Sequence, residues 1–173
     1  MSSCDQIRQY YAQKYNTSYC RGWTQNDWPG KIEDNWDAQI ACVLKGEKKV
    51  AMTDYDAFSQ DPGDIGELND YYKQYPMDVQ LRKDVLNCSV MLAYDRSGTH
   101  FWVYPQYAQN AQLLINHFDQ VERFPADLNE LIRSLLLGYS DESIVDYIPL
   151  LDVNDSRLRT AKNWIRQRGG LPD

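Results

Sequence analysis

The sequence predicts an α+β fold: an antiparallel sheet built from two β-hairpins, an N-terminal helix and a C-terminal cluster of about four helices. Two segments, 40–52 and 85–104, predict the hairpins, because each has a turn signal between two short apolar runs. A third observation is that apolar residues after Pro105 recur at helical spacing. Strand pairs followed by a run of helices are typical of the α+β class.

The first helix is predicted from about Cys4 to Tyr15, because serines that can cap a helix precede apolar and tyrosine residues at helical spacing. Residues 17–36 are predicted to form a loop rich in Gly, Asn, Asp and aromatic residues. Trp28 of this loop either packs against one end of the core or belongs to a ligand-facing aromatic patch.

The first hairpin is predicted from the alternation of Ile40, Cys42 and Leu44 with other apolar residues. Gly46 then marks a turn, and the second strand of this hairpin begins near Val50. The predicted sheet therefore starts directly after the aromatic loop.

A helix is predicted between Pro62 and Pro76, since apolar and tyrosine residues lie on one side of it and Pro76 ends it. The second hairpin follows, with an apolar strand from Val85 to Tyr94, the turn sequence DRSG and an aromatic strand over 99–104.

The remainder of the chain is predicted to be helical. We expect an α+β core domain over residues 1–124 and a helical region over 125–173 packed on it, or a single domain overall. The four predicted helices are Tyr107–Phe118, Ala126–Leu137, Asp141–Ile148 and Ser156–Arg168.

The composition is that of a globular protein, with 173 residues, 43% hydrophobic residues and 25% charged residues. The formal net charge of −7 argues against a protein that coats nucleic acid or acidic membrane with its whole surface. The charge is uneven, however, because five basic and two acidic residues lie between Asn154 and Asp173. Contact with a polyanion is therefore expected from this last segment.

The four cysteines are widely spaced and form no CxxC pair. This spacing, without a signal peptide, predicts reduced thiols in a cytoplasmic protein. The longest apolar run, Leu135–Leu137, is far too short for a transmembrane helix, so no membrane association is expected.

The sequence carries no strong catalytic signature. Cys88 and His100 would be neighbours in the second hairpin and could form a nucleophile–base pair, but no glycine-rich segment exposes Cys88. Phosphate-binding GxxxxGK and GxGxxG motifs and the GxSxG elbow do not occur. We therefore assign no catalytic residue, cofactor or metal, and a small hydrolase or transferase is the least favoured function.

The leading hypothesis is a non-catalytic protein-binding module: an adaptor, an inhibitor or antagonist, or a small acidic chaperone. An acidic segment would steer a partner with a basic surface, and aromatic residues would anchor it, so that binding occludes the partner. A solvated acidic face is the alternative interpretation of the same residues. The residues predicted for partner binding are Asp54, Asp56, Asp61, Asp64, Glu67, Tyr71, Tyr72 and Trp28.

The alternative function is transcriptional regulation through the C-terminus. Gly138 ends one predicted helix, Ser140 can cap a short second helix, and a basic helix follows. This pattern loosely resembles the helix-turn-helix of sigma-factor and response-regulator DNA-binding domains, although the link of seven residues exceeds a tight turn. The resemblance implies contact with DNA through Arg157, Arg159, Lys162, Arg166 and Arg168. Otherwise these helices are simply the last ones of the core, with a solvated basic face.

Overall fold

A computed structural model describes residues 3–15, 20, 32–53, 78–94, 99–119, 126–147 and 153–171. This part of the chain combines helices with a three-stranded antiparallel sheet, as the predicted α+β class requires. The strands are β1 (Val50–Thr53), β2 (Met91–Tyr94) and β3 (His100–Val103). The helices are α1 (Ser3–Lys14), α2 (Ile32–Lys45), α3 (Val79–Asn87), α4 (Ala108–Asp119), α5 (Ala126–Leu136), α6 (Asp141–Tyr147) and α7 (Asp155–Arg166), with a 3-10 turn at Pro105–Tyr107.

Strand β3 is the centre of the sheet, in the order β1-β3-β2. Its Trp102 is opposite Ala51 of β1 and Leu92 of β2. All four residues of β3 are buried, and hydrophobic clusters cover the strand on both faces of the sheet. The indole Nε1 of Trp102 donates a hydrogen bond of 3.1 Å to Thr53 Oγ1, so the buried N–H is satisfied.

The two faces of the sheet belong to different hydrophobic clusters, since successive side chains of a strand point to opposite faces. Phe101 and Val103 pack in a cluster with buried residues of α4, α5, α6 and α7. Trp102 packs in a second cluster with residues of α1, α2 and α3. The central strand thus contacts both the early and the late helices. The predicted boundary near residue 124 stays a prediction.

The first predicted hairpin is wrong, because segment 40–44 belongs to helix α2 and not to a strand. Ile40, Val43 and Leu44 pack on the cluster of α1 and α3, while Cys42 packs with Ala38 in a third cluster. A run buried on several sides has no clear period, so it does not distinguish a strand from a helix. The same helix covers residues 32–36, which were predicted to be loop.

Gly46 ends α2 instead of turning a hairpin. Its φ of 89° is in the left-handed region, and Glu47 N donates a hydrogen bond to Cys42 O in the pattern of a helix C-cap. The chain then enters β1 at Val50, which pairs with β3. Glycine is typical of both kinds of turn, which explains the error.

The second predicted hairpin is present but shorter. β2 and β3 pair antiparallel, whereas Val85 and the residues up to Asn87 belong to α3. Asp78 caps this helix by accepting a hydrogen bond from Leu81 N. Helix α1 and the four helices predicted after Pro105 are present. The helix predicted between Pro62 and Pro76 lies outside the described residues.

The prediction of reduced cysteines is wrong. Cys4 is disulfide-bonded to Cys88, with their Cα atoms 5.5 Å apart, and Cys20 is bonded to Cys42, with a Cα–Cα distance of 5.6 Å. The partners are 84 and 22 residues apart in sequence, so their spacing gave no sign of pairing. The first bond joins α1 to the end of α3. Within the described ranges, no helix is both long and apolar enough to cross a bilayer.

Candidate functional site

The acidic and aromatic residues predicted to bind a protein partner lie outside the described residues, so their arrangement stays a prediction. They are Asp54, Asp56, Asp61, Asp64, Glu67, Tyr71, Tyr72 and Trp28. The basic residues predicted to bind nucleic acid lie on α7 or directly after it, where the surroundings are described.

These five basic residues occupy two flanks of α7, one on each side of its buried stripe. Lys162 and Arg166 are one turn apart and line the same open cleft. At 3.6 residues per turn, Arg159 falls on their flank, whereas Arg157 and Arg168 fall on the other. The structure therefore does not place all five residues on one DNA-facing surface.

The Arg168 flank packs towards α4. The guanidinium carbon of Arg168 lies 3.9 Å from the ring centroid of Trp164, and its Nη1 donates a hydrogen bond to the Trp164 carbonyl. Gln109 of α4 donates to the carbonyl oxygen of Arg168. Trp164 in turn meets the ring of His117 edge-on, with centroids 6.0 Å apart. These contacts give Arg168 a structural role at the end of α7.

On the other flank is a cleft of about 170 Å³, which we call the cationic cleft. Three of its side chains are basic: Lys49 from the entry to β1, and Lys162 and Arg166 from α7. The other lining residues are Leu135, Gly138, Tyr139, Asp141 and Leu171. Residues distant in sequence thus bring positive charge to one concave surface.

A left-handed glycine shapes one wall of the cationic cleft. Gly138 follows α5 with a φ of 87°, and Tyr139 N donates a hydrogen bond back to Ser134 O. A Cβ atom at Gly138 would lie only 3.3 Å from Lys48 Cγ. Glycine therefore suits the left-handed backbone conformation, and a Cβ atom here would also press on the Lys48 side chain.

The opposite end of the cleft depends on a second close approach. A Cβ atom at Gly170 would lie 2.8 Å from atoms of Asn110, Leu113 and Ile165. The backbone therefore runs directly over α4, and Leu171 N donates a hydrogen bond of 2.6 Å to Asn110 Oδ1. This contact places Leu171 at the cleft.

The electrostatics of the cationic cleft combine three cations with one carboxylate. Lys162 Nζ lies 2.7 Å from Asp141 Oδ2, which ties α7 to α6. Lys49 Nζ lies 5.5 Å from the centroid of the Tyr107 ring. Arg166 is exposed to solvent. Positive charge at an open concavity attracts anions.

A fourth basic residue, Lys48, adjoins the cationic cleft. Its side chain is only 4% exposed and contacts Gly138, and its Nζ lies 4.4 Å from the centroid of the Tyr139 ring. Both contact residues also line the cleft. Burial lowers the pKa of Lys48 to about 7, because the charged ammonium is desolvated.

Carboxylates on the other side of the sheet serve to join helices. Asp78 accepts hydrogen bonds from Lys14 Nζ at 2.7 Å and from Tyr15 Oη at 2.6 Å. Burial alone would raise the pKa of Asp78, but these hydrogen bonds lower it overall. Tyr11 Oη donates to Asp84, and burial together with this bond raises the pKa of Tyr11 well above its usual value.

The structure does not support nucleophilic catalysis by Cys88 with His100 as its base. Cys88 is bonded to Cys4 and has no thiol, which removes the Cys88–His100 pair as a nucleophile and base. His100 and His117 are both buried, and burial followed by the charge of Arg133 lowers the pKa of His117. Across the described ranges, no three His, Cys, Asp or Glu side chains are grouped to hold a metal ion.

Sequence reasoning identified Lys162 and Arg166 but missed Lys48, Lys49 and Tyr139. Two lysines before an apolar strand are ordinary, and only the folded chain brings Lys49 to the cleft beside α7 and Lys48 against Gly138 and Tyr139. Comparison with models of protein families, with curated proteins and with solved structures finds no match for this chain.

Proposed function

We propose that this protein is a non-catalytic binding module whose partner is another protein. The observation that carries the proposal is the use of its reactive groups for structure. Cys88 is cross-linked to Cys4, Asp37 is ion-paired with Arg82, and Asp78 joins α3 to α1. Because these described groups serve the structure, we assign the function to charged surfaces, which need little exact geometry to steer a partner.

The partner-binding surface in this proposal consists of the acidic residues of segment 54–67 and of aromatic residues such as Tyr71 and Trp28. Asp54, Asp56 and Asp61 would attract a basic surface, and Tyr71 or Trp28 would fill pockets on it. The partner would be inhibited or escorted because its basic surface becomes covered.

The test is charge reversal with a matched control. Asp54, Asp56 and Asp61 are replaced together by lysine, and the affinity for a partner captured from the native host's lysate is measured at low and moderate salt. We expect a loss of roughly tenfold or more and a weaker salt dependence. The control replaces the exposed Glu47, Glu142 and Asp155 by lysine. Equal losses in both variants would contradict a specific acidic surface.

A second candidate function is binding to nucleic acid, favoured by the convergence of Lys49 with Lys162 and Arg166. Arg159→Ala together with Lys162→Ala would abolish binding to a DNA duplex at low salt. Arg157→Ala together with Arg168→Ala removes the same number of charges from the other flank. This variant would bind the duplex better than the Arg159→Ala and Lys162→Ala variant. Absence of duplex binding by the unmodified protein at low salt would eliminate this candidate.

We also propose an oxidising compartment in place of the cytoplasm expected from the sequence. Two disulfides support this, because such bonds persist where thiols are not continually reduced. A thiol count on denatured protein isolated from its native source tests the proposal. Four free thiols would contradict it.

A further inference from the structure

We propose that the cationic cleft binds a terminal phosphate group, as inorganic phosphate or a phosphate monoester, between Lys49, Lys162 and Arg166. The residues of this site differ from those of the acidic segment that we propose for a protein partner. It rests on cleft size, on the charges that line the cleft and on the buried lysine next to it.

The charges favour a dianion. Lys49, Lys162 and Arg166 supply three positive charges, and Asp141 offsets one of them. A terminal phosphate carries about −1.5 to −2 charges near pH 7, which matches the remainder. A carboxylate or a backbone phosphodiester carries a single negative charge and would leave part of the positive charge of the cleft uncompensated.

The size favours an end group. The cleft volume of about 170 Å³ is below the roughly 300–1,000 Å³ of pockets for drug-sized ligands. A phosphate with its attached oxygen fits such a space, and the rest of a larger ligand would lie outside. Lysine and arginine together are suited to this group, since arginine can bind two of its oxygens at once.

Lys48 is the second, independent observation. It is buried at 4% exposure, and its Nζ lies 4.4 Å from the centroid of the Tyr139 ring. A buried ammonium is costly without a counter-charge. An anion in the adjoining cleft would supply one across the wall that Gly138 and Tyr139 form.

Asp141 occupies the ligand's place on Lys162 when the cleft is empty. Its Oδ2 accepts from Lys162 Nζ at 2.7 Å, in an ion pair with Asp141 about half exposed. An incoming phosphate therefore competes with this carboxylate. We therefore predict opposite effects on phosphate affinity at the same cleft: neutralising Asp141 strengthens binding, whereas neutralising one of the cations weakens it.

Isothermal titration calorimetry with inorganic phosphate at low salt and neutral pH measures the affinity of the site. We expect saturable 1:1 binding, weakened roughly tenfold or more by Lys49→Gln with Arg166→Gln, since each loses a charge-assisted hydrogen bond. Asp141→Asn would strengthen binding about threefold or more, because it removes the competing charge. Arg157→Gln with Lys83→Gln, a matched loss of two charges at exposed residues that do not line the cleft, would change affinity by less than about twofold.

The proposal is overturned if phosphate does not saturate, if the matched pair weakens binding as much as the cleft pair, or if Asp141→Asn weakens it. Thermal midpoints within a few degrees of the unmodified protein confirm that each variant is folded. If the thermal midpoint of the Lys49→Gln and Arg166→Gln double variant falls further than that, each of the two substitutions is tested alone.

Further ligands identify the source of the phosphate group. Binding of inorganic phosphate more tightly than O-phosphoserine supports a free anion, and the reverse order supports an ester at the end of a larger molecule. Acetate binding as tight as phosphate would overturn the preference for a dianion. A short DNA duplex that binds more tightly than both phosphates, and is lost in the cleft variant, would overturn the proposal in favour of nucleic acid.

Discussion

Arg82 Nη2 lies 3.2 Å from Asp37 Oδ1, in an ion pair whose side chains are 2% and 6% exposed. The pair joins α2 to α3, and Asp37 also accepts a hydrogen bond of 2.9 Å from Asp78 N at the start of α3. Burial raises the pKa of Asp37 and outweighs the opposite effect of Arg82. The pair is therefore a position where loss of one partner leaves a buried charge.

Asp37→Ala is expected to lower the free energy of unfolding by about 3–5 kcal/mol, because the buried guanidinium of Arg82 loses its ion pair with the Asp37 carboxylate. Asp37→Leu combined with Arg82→Met should recover much of that loss, since neither charge then needs a partner. Urea unfolding of both variants provides the measurement. A double variant no more stable than Asp37→Ala would contradict the electrostatic explanation.

Lys48→Met is expected to stabilise the protein most at and below neutral pH. The pKa of Lys48 is about 7 in the folded protein and 10.5 for an ordinary lysine, so the unfolded chain binds more protons between these values. The penalty for burying Lys48 is complete below pH 7. It decreases by up to about 1.4 kcal/mol per pH unit as the pH rises towards 10.5.

Urea unfolding near pH 6 and pH 9 measures this dependence, and the gain from Lys48→Met should be larger near pH 6. Lys49→Met is the control, because its side chain is only half-buried and the same charge is lost. An equal gain from Lys48→Met at both pH values would show that Lys48 does not titrate in this range.

Cys4→Ser with Cys88→Ser is expected to lower the free energy of unfolding by about 2–5 kcal/mol, because the closed loop restricts the unfolded chain. The bond joins residues 84 positions apart. Reducing the unmodified protein should cause a loss at least as large, since Cys20 and Cys42 are then released too. An unchanged unfolding curve in reductant would contradict a stabilising role.

Gly138→Ala is expected to cost more than Gly46→Ala, although both glycines have φ values near +90°. Alanine in this region costs about 1–2 kcal/mol at either position. At Gly46 no atom lies within 4 Å of the added Cβ, whereas at Gly138 Lys48 Cγ lies at 3.3 Å. Equal losses in denaturant unfolding would indicate that Lys48 moves aside freely.

The sequence predicted the parts of the fold whose signals are local. Gly138 marks the end of α5 and Ser140 the start of α6, and the structure contains both helices. Segment 40–44 was misassigned because its residues are buried on several sides, so the period was hidden and Gly46 suggested a hairpin. A helix cap and a hairpin turn both require a left-handed residue, and sequence alone does not separate them.

The candidate site was less predictable, since it depends on long-range placement. The basic character of α7 was evident, but its division into two flanks follows from which face packs on α5 and α4. Lys49 joins Lys162 and Arg166 only because β1 enters the sheet beside the end of α5. The two disulfides were equally hidden, because their partners are 84 and 22 residues apart in sequence.

The Cys4–Cys88 bond also determines how the protein responds to a protease. A single backbone cut anywhere between these residues leaves two fragments that remain covalently joined. Such a nicked molecule would migrate as one band on a denaturing gel without reductant and as two bands after reduction. For a cut between Cys20 and Cys42 the fragments would be held by both bonds.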